Sequence, residues 1–189
     1  MLRFSLTAAL VAATTPGIAG QYDSSMEAYL LTELRPWFQS EEIVGAVLAQ
    51  NRTTGTYDSE EILEMDERWR AEVNSNAQPT IRSVVNNSTS DFLRERMNDS
   101  GGTITEIILM DASGLNVAAS HVTSDYWQGD EDKHAMTYGV GPLAVHFGEI
   151  EFDESSQIFQ GQVSATIVDP EDGSPIGAIT IGLNAEALM

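Results

Sequence analysis

The chain contains no cysteine and only one lysine, Lys133. Without cysteine there are no disulfides and no thiol chemistry, so stability must come from packing alone. Basic residues are scarce altogether: nine Lys and Arg stand against 29 Asp and Glu, and the formal net charge is -20. A surface with this charge repels nucleic acid and anionic lipid, so both are excluded as partners.

Long apolar runs are missing after the N-terminus. Residues 1–19 carry one arginine, an apolar run from Phe4 to Ala13, and the small residues Gly17-Ile18-Ala19. This pattern is typical of a signal peptide cleaved after Ala19. The alternative, an uncleaved anchor, is disfavoured because the run is shorter than the roughly 20 residues that span a bilayer. We therefore predict one domain over residues 20–189, periplasmic or secreted, with no membrane insertion after cleavage.

Helical and strand periodicity occupy different parts of the chain. Apolar residues recur at helical spacing over residues 23–100, where Pro36 predicts a kink and Asp58 to Glu61 resembles a capping box. Beyond this part, the periodicity of strands covers residues 103–184. We expect strands near residues 104–110, 115–120, 144–152, 158–168 and 176–183. A run of helices followed by a run of strands indicates an α+β domain.

The most distinctive stretch, Ile107 to Tyr138, combines a β-hairpin with a polar, aromatic loop. The hairpin turns at Asp111-Ala112-Ser113-Gly114, where glycine can adopt a positive φ. The loop continues as Thr123-Ser124-Asp125-Tyr126-Trp127-Gln128-Gly129-Asp130-Glu131. With its N-terminal helices and a closing hairpin, the chain resembles the Cache or PDC class of extracellular sensor domains, found on chemoreceptors and sensor kinases.

The resemblance implies a PAS-like fold, with N-terminal helices packed on a central antiparallel sheet of about five strands. It also implies a ligand pocket between the sheet and its flanking loops. Cache domains usually sit between two membrane helices, whereas this sequence stops at Met189. The expectation is therefore a free-standing, single-Cache module that binds a small organic ligand, such as an amino acid or carboxylate. A membrane-bound sensor kinase or chemoreceptor would be its partner.

Candidate ligand-binding residues are concentrated in and after the loop: Asp125, Tyr126, Trp127, Lys133 and His146. The two aromatic rings combine apolar faces with a polar group, which suits a small organic ligand, although either ring can instead belong to the core. Asp125 can hold a ligand amine or cap a short helix. Lys133 can bind a ligand carboxylate or pair with the acidic residues around it.

Metal and enzyme chemistry have little support in the sequence. The acidic triplet Asp130 to Asp132 suits a helix N-terminus better than a metal. The three histidines show no metal-ligand spacing. Ser120 and His121 should point to opposite faces of a strand, which argues against a nucleophile and base. We predict no cofactor, no metal and no catalytic residue. The alternatives are a ligand-free interaction protein and, after it, a metal-dependent hydrolase.

Overall fold

The computed structural model describes residues 19–153 and 158–188, so nearly all of the predicted signal peptide lies outside the described residues. The helices are α1 (Ala19–Tyr29), α2 (Arg35–Phe38), α3 (Glu41–Thr54), α4 (Ser59–Val73), α5 (Pro79–Val85), α6 (Ser88–Asp99) and α7 (Asp132–Ala135). The strands are β1 (Ile104–Asp111), β2 (Asn116–Ala119), β3 (Val145–Phe147), β4 (Glu151–Asp153), β5 (Ile158–Val168) and β6 (Pro175–Asn184). A 3₁₀ turn, Ala185–Leu188, follows β6.

Local sequence explains where helix α4 begins. The predicted capping box is present, because the Asp58 side chain accepts hydrogen bonds from the backbone of Glu60 and Glu61 while Glu61 accepts one from the Asp58 N–H. Between α1 and α2 the helix widens into a π-helical turn, Leu30–Leu34, and Pro36 lies in the first turn of α2 that follows. This is the place where proline was expected to interrupt the helix.

The described strands form one antiparallel sheet with the order β2-β1-β6-β5-β3, and β4 also pairs with β5. The predicted α+β fold with N-terminal helices and an antiparallel sheet is confirmed. The prediction of a single strand near residues 144–152 is wrong, because this segment forms two short strands, β3 and β4. Between Phe147 and Glu151, three residues face only two on β5, and this extra residue shifts the register.

One face of the sheet carries the main apolar core. The helices α1, α2, α3 and α6 pack against it, with side chains such as Met26, Leu34, Ile43 and Leu93 fully buried. Their partners in the sheet are Ile107, Leu109, Val163, Ile167, Ile179, Ile181 and Leu183. Glycine at position 161 allows this close packing, because a Cβ there would lie 2.8 Å from the Met26 Sδ atom. This face will be called the helix face.

The opposite face of the sheet is more polar and is covered by α7 and the residues after it. It contributes a small apolar cluster, Ile108, Met110 and Ala178, with Tyr138 packed against it. Beside this cluster, the Ser164 and Thr180 hydroxyls lie 2.9 Å apart and are almost fully buried. This face will be called the polar face. Among the described residues, no helix is long and apolar enough to cross a membrane.

Candidate functional site

The polar face gathers hydrogen-bonding side chains from three neighbouring strands. His146 of β3 is paired with Ser164 of β5, and Ser164 with Thr180 of β6. Side chains directly opposite each other on neighbouring strands share a face, so these three form one row. Gln162 lies two residues before Ser164 and therefore belongs to the same face of β5.

A cleft of about 280 Å³ opens at the edge of the polar face, between the start of α7 and strand β5. Its lining is polar apart from one glycine: Glu131, Lys133, Gly148, Glu149, Glu151, Gln160 and Gln162. Lys133 is the one cation in this lining and the one lysine of the chain. The cleft therefore combines an ammonium group with carboxylates and amides.

The Lys133 ammonium is held by two acceptors. Its Nζ atom donates to the Gln128 Oε1 atom at 2.8 Å and lies 3.0 Å from the Glu131 Oε2 atom. Only 13% of the side chain is exposed, so the group is more enclosed than an ordinary surface lysine. An ammonium carries three donors, and the described residues supply acceptors for two of them.

Two carboxylates of the cleft are available for a positive group. Glu149 is exposed and Glu151 lies at the start of β4, also exposed. Neither carboxylate forms a hydrogen bond or ion pair with another residue in the ranges 19–153 and 158–188. Carboxylates in this arrangement can accept hydrogen bonds from a ligand amine.

Asp125 is linked to the cleft through Gln128. The Gln128 Nε2 atom donates to the Asp125 side chain and, at 3.3 Å, to the Asp125 carbonyl. The same amide accepts the hydrogen bond from Lys133, and Gln128 is only 1% exposed. Asp125 and Lys133, two predicted ligand-binding residues, are therefore parts of one hydrogen-bonded chain. His146 shares the polar face but is absent from the described lining of the cleft.

Tyr126 and Trp127 have packing roles against α4 and the hairpin turn. Tyr126 is 6% exposed and stacks on Trp69 with ring centroids 5.4 Å apart. Burial, with help from the Asp111 and Tyr57 charges, raises the pKa of Tyr126. The Trp127 indole donates to the Ser113 carbonyl at 2.9 Å. The described residues that line the Lys133 cleft do not include either ring, so ligand contact by these aromatics stays a prediction.

Side chains of helix α4 form hydrogen bonds with the backbone of the loop at residues 123–127. The Asp66 carboxylate accepts the backbone N–H groups of Tyr126 at 2.9 Å and Trp127 at 3.1 Å. The Trp69 indole donates to the Thr123 carbonyl at 2.9 Å. Neither contact with the loop was predicted from the sequence. Asp66 had a usable signal, because it is an acidic residue beside the apolar stripe of α4.

The cleft residues on β5 were also missed, and their signal is a polar alternation. Gln160, Gln162, Ser164 and Thr166 occupy every second position, while Val163, Ala165 and Ile167 fill the positions between them on the helix face. A strand that alternates in this way has one face in the core and one face free for polar contacts. Glu149 and Glu151 carry no comparable pattern.

The histidines have separate surroundings. His134 is buried, contacts the Asp111 carbonyl through Nε2 at 3.2 Å and stacks on Tyr138. Burial lowers its pKa, although the contact with Asp111 acts in the other direction. Among the described residues, no group of three or more acidic residues and histidines is placed to hold a metal ion.

Ser120 and His121 do not point apart, so the orientation predicted for this pair is wrong. Strand β2 ends at Ala119, so strict alternation no longer applies, and the Ser120 Oγ atom lies 3.1 Å from the His121 Nδ1 atom. Ser120 is buried, and its hydroxyl accepts the Ile107 N–H at 2.9 Å. The observed contact thus belongs to the end of the strand, where Ser120 replaces a backbone partner of β1.

Comparison with solved structures identifies the fold. The Vibrio cholerae histidine kinase DctB sensor domain is similar over 89% of this chain and 54% of its own length, with 12% identity and a TM-score of 0.51. This chain thus spans about half the length of the DctB domain. The Escherichia coli DcuS sensor domain matches with 15% identity over 89% of this chain and 95% of its own, with a TM-score of 0.46.

A third similar structure is the sensory domain of the Campylobacter jejuni chemoreceptor Tlp3 with isoleucine bound. It matches with 13% identity over 91% of this chain and 66% of its own, with a TM-score of 0.41. No family model and no curated protein matches the sequence. The chain has the fold of Cache/PDC-type sensor domains, as the resemblance in the sequence predicted.

Proposed function

We propose that this chain is an exported sensor module that binds a small organic ligand in the cleft beside Lys133 and passes the signal to a partner. The observation that carries the proposal is the environment of the Lys133 ammonium group. It is a largely enclosed ammonium, held by Gln128 and Glu131 in a polar cleft. The partner would be a membrane-bound sensor kinase or chemoreceptor.

The charges in the cleft favour an amino acid over a simple carboxylate. The ligand carboxylate would accept a hydrogen bond from Lys133, and charge-assisted bonds of this kind are among the stronger ones. Glu149 and Glu151 would repel a second carboxylate but attract an ammonium group. His146 and Gln162, on the same face, would add polar contacts. A ligand with one group of each charge therefore fits best.

A thermal-denaturation screen of the purified chain tests this proposal. We expect α-amino acids to raise the melting temperature more than the corresponding amines or carboxylates. Stabilisation reaches about 2.7 kcal/mol when the ligand is at one hundred times its Kd. Lys133→Gln should strongly reduce the effect, whereas Arg52→Gln, which removes an exposed positive charge on α3, should leave it intact. If none of the three ligand classes stabilises the protein, the proposal is wrong.

The three loop residues enter the same screen as a separate question. Trp127→Ala removes a ring that packs behind the loop, so a loss of ligand response without unfolding would support its predicted contact. Tyr126→Phe keeps the stacked ring and removes only the hydroxyl, which makes it the gentler probe. Asp125→Asn tests whether the charge of Asp125 is required. An unchanged response in all three variants would remove them from the site.

A second candidate function, a ligand-free interaction protein, is favoured by one observation. After α7 the chain exposes three large apolar side chains: Met136 at 47%, Val140 at 66% and Leu143 at 88%. In this function, a receptor or kinase domain would cover these side chains. Leu143→Ser should then weaken capture of that domain, and no small molecule should be required for binding.

A further inference from the structure

The side chain of Gln128 joins an acidic residue to the ligand-binding ammonium. Its Nε2 end faces the Asp125 carboxylate and carbonyl, and its Oε1 end accepts from Lys133 at 2.8 Å. A glutamine amide has a donor end and an acceptor end. Because a carboxylate needs a donor and an ammonium needs an acceptor, the two partners fix which way the amide points.

The backbone around Gln128 is fixed as well. Its N–H donates to the Gly114 carbonyl at 2.8 Å, and its own carbonyl accepts from Glu131 at 3.2 Å. Gly114, at φ 82°, packs so closely on the next residue that a Cβ there would lie 2.4 Å from the Gly129 Cα atom. The hairpin turn and the start of α7 therefore clamp Gln128 from both sides.

Lys133 has no comparable constraint of its own. A lysine side chain is a flexible four-carbon stem with a point charge at its end. Near it lie the carboxylates of Glu131, Glu149 and Glu151, each able to attract the ammonium to a different place in the cleft. Gln128 is 1% exposed, so it is far more enclosed than Glu131, the other residue that contacts the ammonium, whose side chain is 42% exposed.

We infer that Gln128 is a positioning residue that aims the Lys133 ammonium into the cleft, and that Asp125 acts on the ligand through Gln128. This inference rests on the proposed function, because it assigns the arrangement of that same site. It gives Asp125 a role different from direct ligand contact. The turn Asp111-Ala112-Ser113-Gly114 then contributes to the site by holding Gln128.

The single lysine allows a test that needs no ligand. In protein labelled with ¹⁵N at lysine, Lys133 gives the one side-chain ammonium signal, and its proton exchange reports how firmly the group is held. Gln128→Met keeps a similar shape and removes the side-chain hydrogen bonds to Asp125 and Lys133. We therefore expect exchange to accelerate about tenfold, as for loss of one bond to a charged group. Gln78→Met removes a glutamine hydrogen bond to the Glu72 carbonyl outside the cleft, so it is the matched control and should leave the signal unchanged.

Gln128→Glu separates positioning from packing. It keeps an acceptor for Lys133 and adds a negative charge, so exchange should become slower than in the wild type, although the new charge faces Asp125. If Gln128 had a role in packing alone, both variants would change the exchange rate of the Lys133 ammonium in the same direction. Should Gln128→Met fail to fold, Asp125→Asn weakens the same chain at a half-buried site and should accelerate exchange by a smaller factor.

The inference is overturned if Gln128→Met, or Asp125→Asn in its place, leaves the exchange of the Lys133 ammonium at the wild-type rate. It is also overturned if Gln128→Glu and Gln128→Met change that rate in the same direction. Because these measurements contain no ligand, failure of the ligand screen leaves their result intact. Conversely, a successful screen with unchanged exchange would keep the proposed function and remove the positioning role.

Discussion

The two faces of the sheet are built from the same strands but have opposite chemistry. On β5, Val163, Ala165 and Ile167 enter the helix face, while Ser164 and Thr166 belong to the polar face. Apolar burial stabilises by about 25 cal/mol per Å² of surface, whereas a hydrogen bond contributes about 1 kcal/mol net. One face therefore specifies the fold, while the edge of the other carries the polar side chains that line the cleft beside Lys133.

The largest effect should come from the helix face. Ile181 is fully buried at the centre of β6, and Ile181→Ala should lower the free energy of unfolding by about 2–5 kcal/mol because it leaves a cavity among packed side chains. Urea denaturation measures this value. A loss below about 1 kcal/mol would mean that the helix face does not dominate the stability.

The anchor of the loop should come next. Asp66→Asn weakens the acceptor for the Tyr126 and Trp127 N–H groups and should cost about 1–3 kcal/mol, the range for a buried group that loses hydrogen bonds. Arg70 lies 2.6 Å from Asp66 but its side chain is 59% exposed, so Arg70→Gln should cost only about 0–1 kcal/mol. Equal costs in the two variants would contradict the role given to the backbone contacts.

Acidic pH should lower the free energy of unfolding through His134, a buried residue of α7. Burial lowers the pKa of His134 in the folded state, so the unfolded chain, with an ordinary value of 6.5, binds the proton first. The contribution of His134 to stability is therefore complete above pH 6.5 and is lost as the pH falls below it. His134→Gln should flatten the stability profile in that window, which denaturation at several pH values will reveal. A profile unchanged by the substitution would contradict this assignment.

A second, more acidic window belongs to Glu72. Burial alone would raise its pKa, but hydrogen bonds from Ile81 and Thr80 at the start of α5 lower it below the ordinary 4.5. Its contribution is present above pH 4.5 and is lost as the pH falls through the lowered value. Glu72→Gln should therefore reduce stability at neutral pH and bring the two proteins closer together in acid. If the difference in unfolding free energy between the two proteins stayed constant with pH, the charge of Glu72 would not be the source of the stabilisation.

The smallest effect should come from the hydroxyl pair on the polar face. Ser164→Ala removes one partner of the 2.9 Å contact with Thr180 and should cost about 1 kcal/mol. The double variant Ser164→Ala with Thr180→Val should recover part of this cost, because no buried hydroxyl is then left without its partner. A cost as large as that of Ile181→Ala would erase the distinction between the two faces.

Local sequence predicted the elements whose signals are local. The hairpin at Asp111 to Gly114, the capping box at Asp58 and the closing strands around the turn at 169–174 all depend on neighbouring residues, and all three are present. The break between β3 and β4 was missed because an extra residue opposite residues 161 and 162 becomes visible only when strands are paired.

The candidate site was harder because its contacts join distant parts of the chain. Nothing next to Tyr126 in the sequence reveals that Trp69, 57 residues earlier, stacks on its ring. Likewise, the position of Lys133 beside Glu149 and Glu151 depends on how β4 returns along β5. The unusual composition of the loop drew attention to this region, while the hydrogen-bonded chain from Asp125 to Lys133 is visible only in the fold.

The most direct measurement is calorimetric titration of wild-type protein and the Lys133→Gln variant with the α-amino acids that raise the melting temperature most. The central claim is that the cleft at the edge of the polar face binds a small organic ligand through Lys133. It predicts saturable binding to the wild type and a loss of at least tenfold in affinity in the variant, the loss of one charge-assisted hydrogen bond. Equal affinity for the two proteins, or no binding to either, would contradict it.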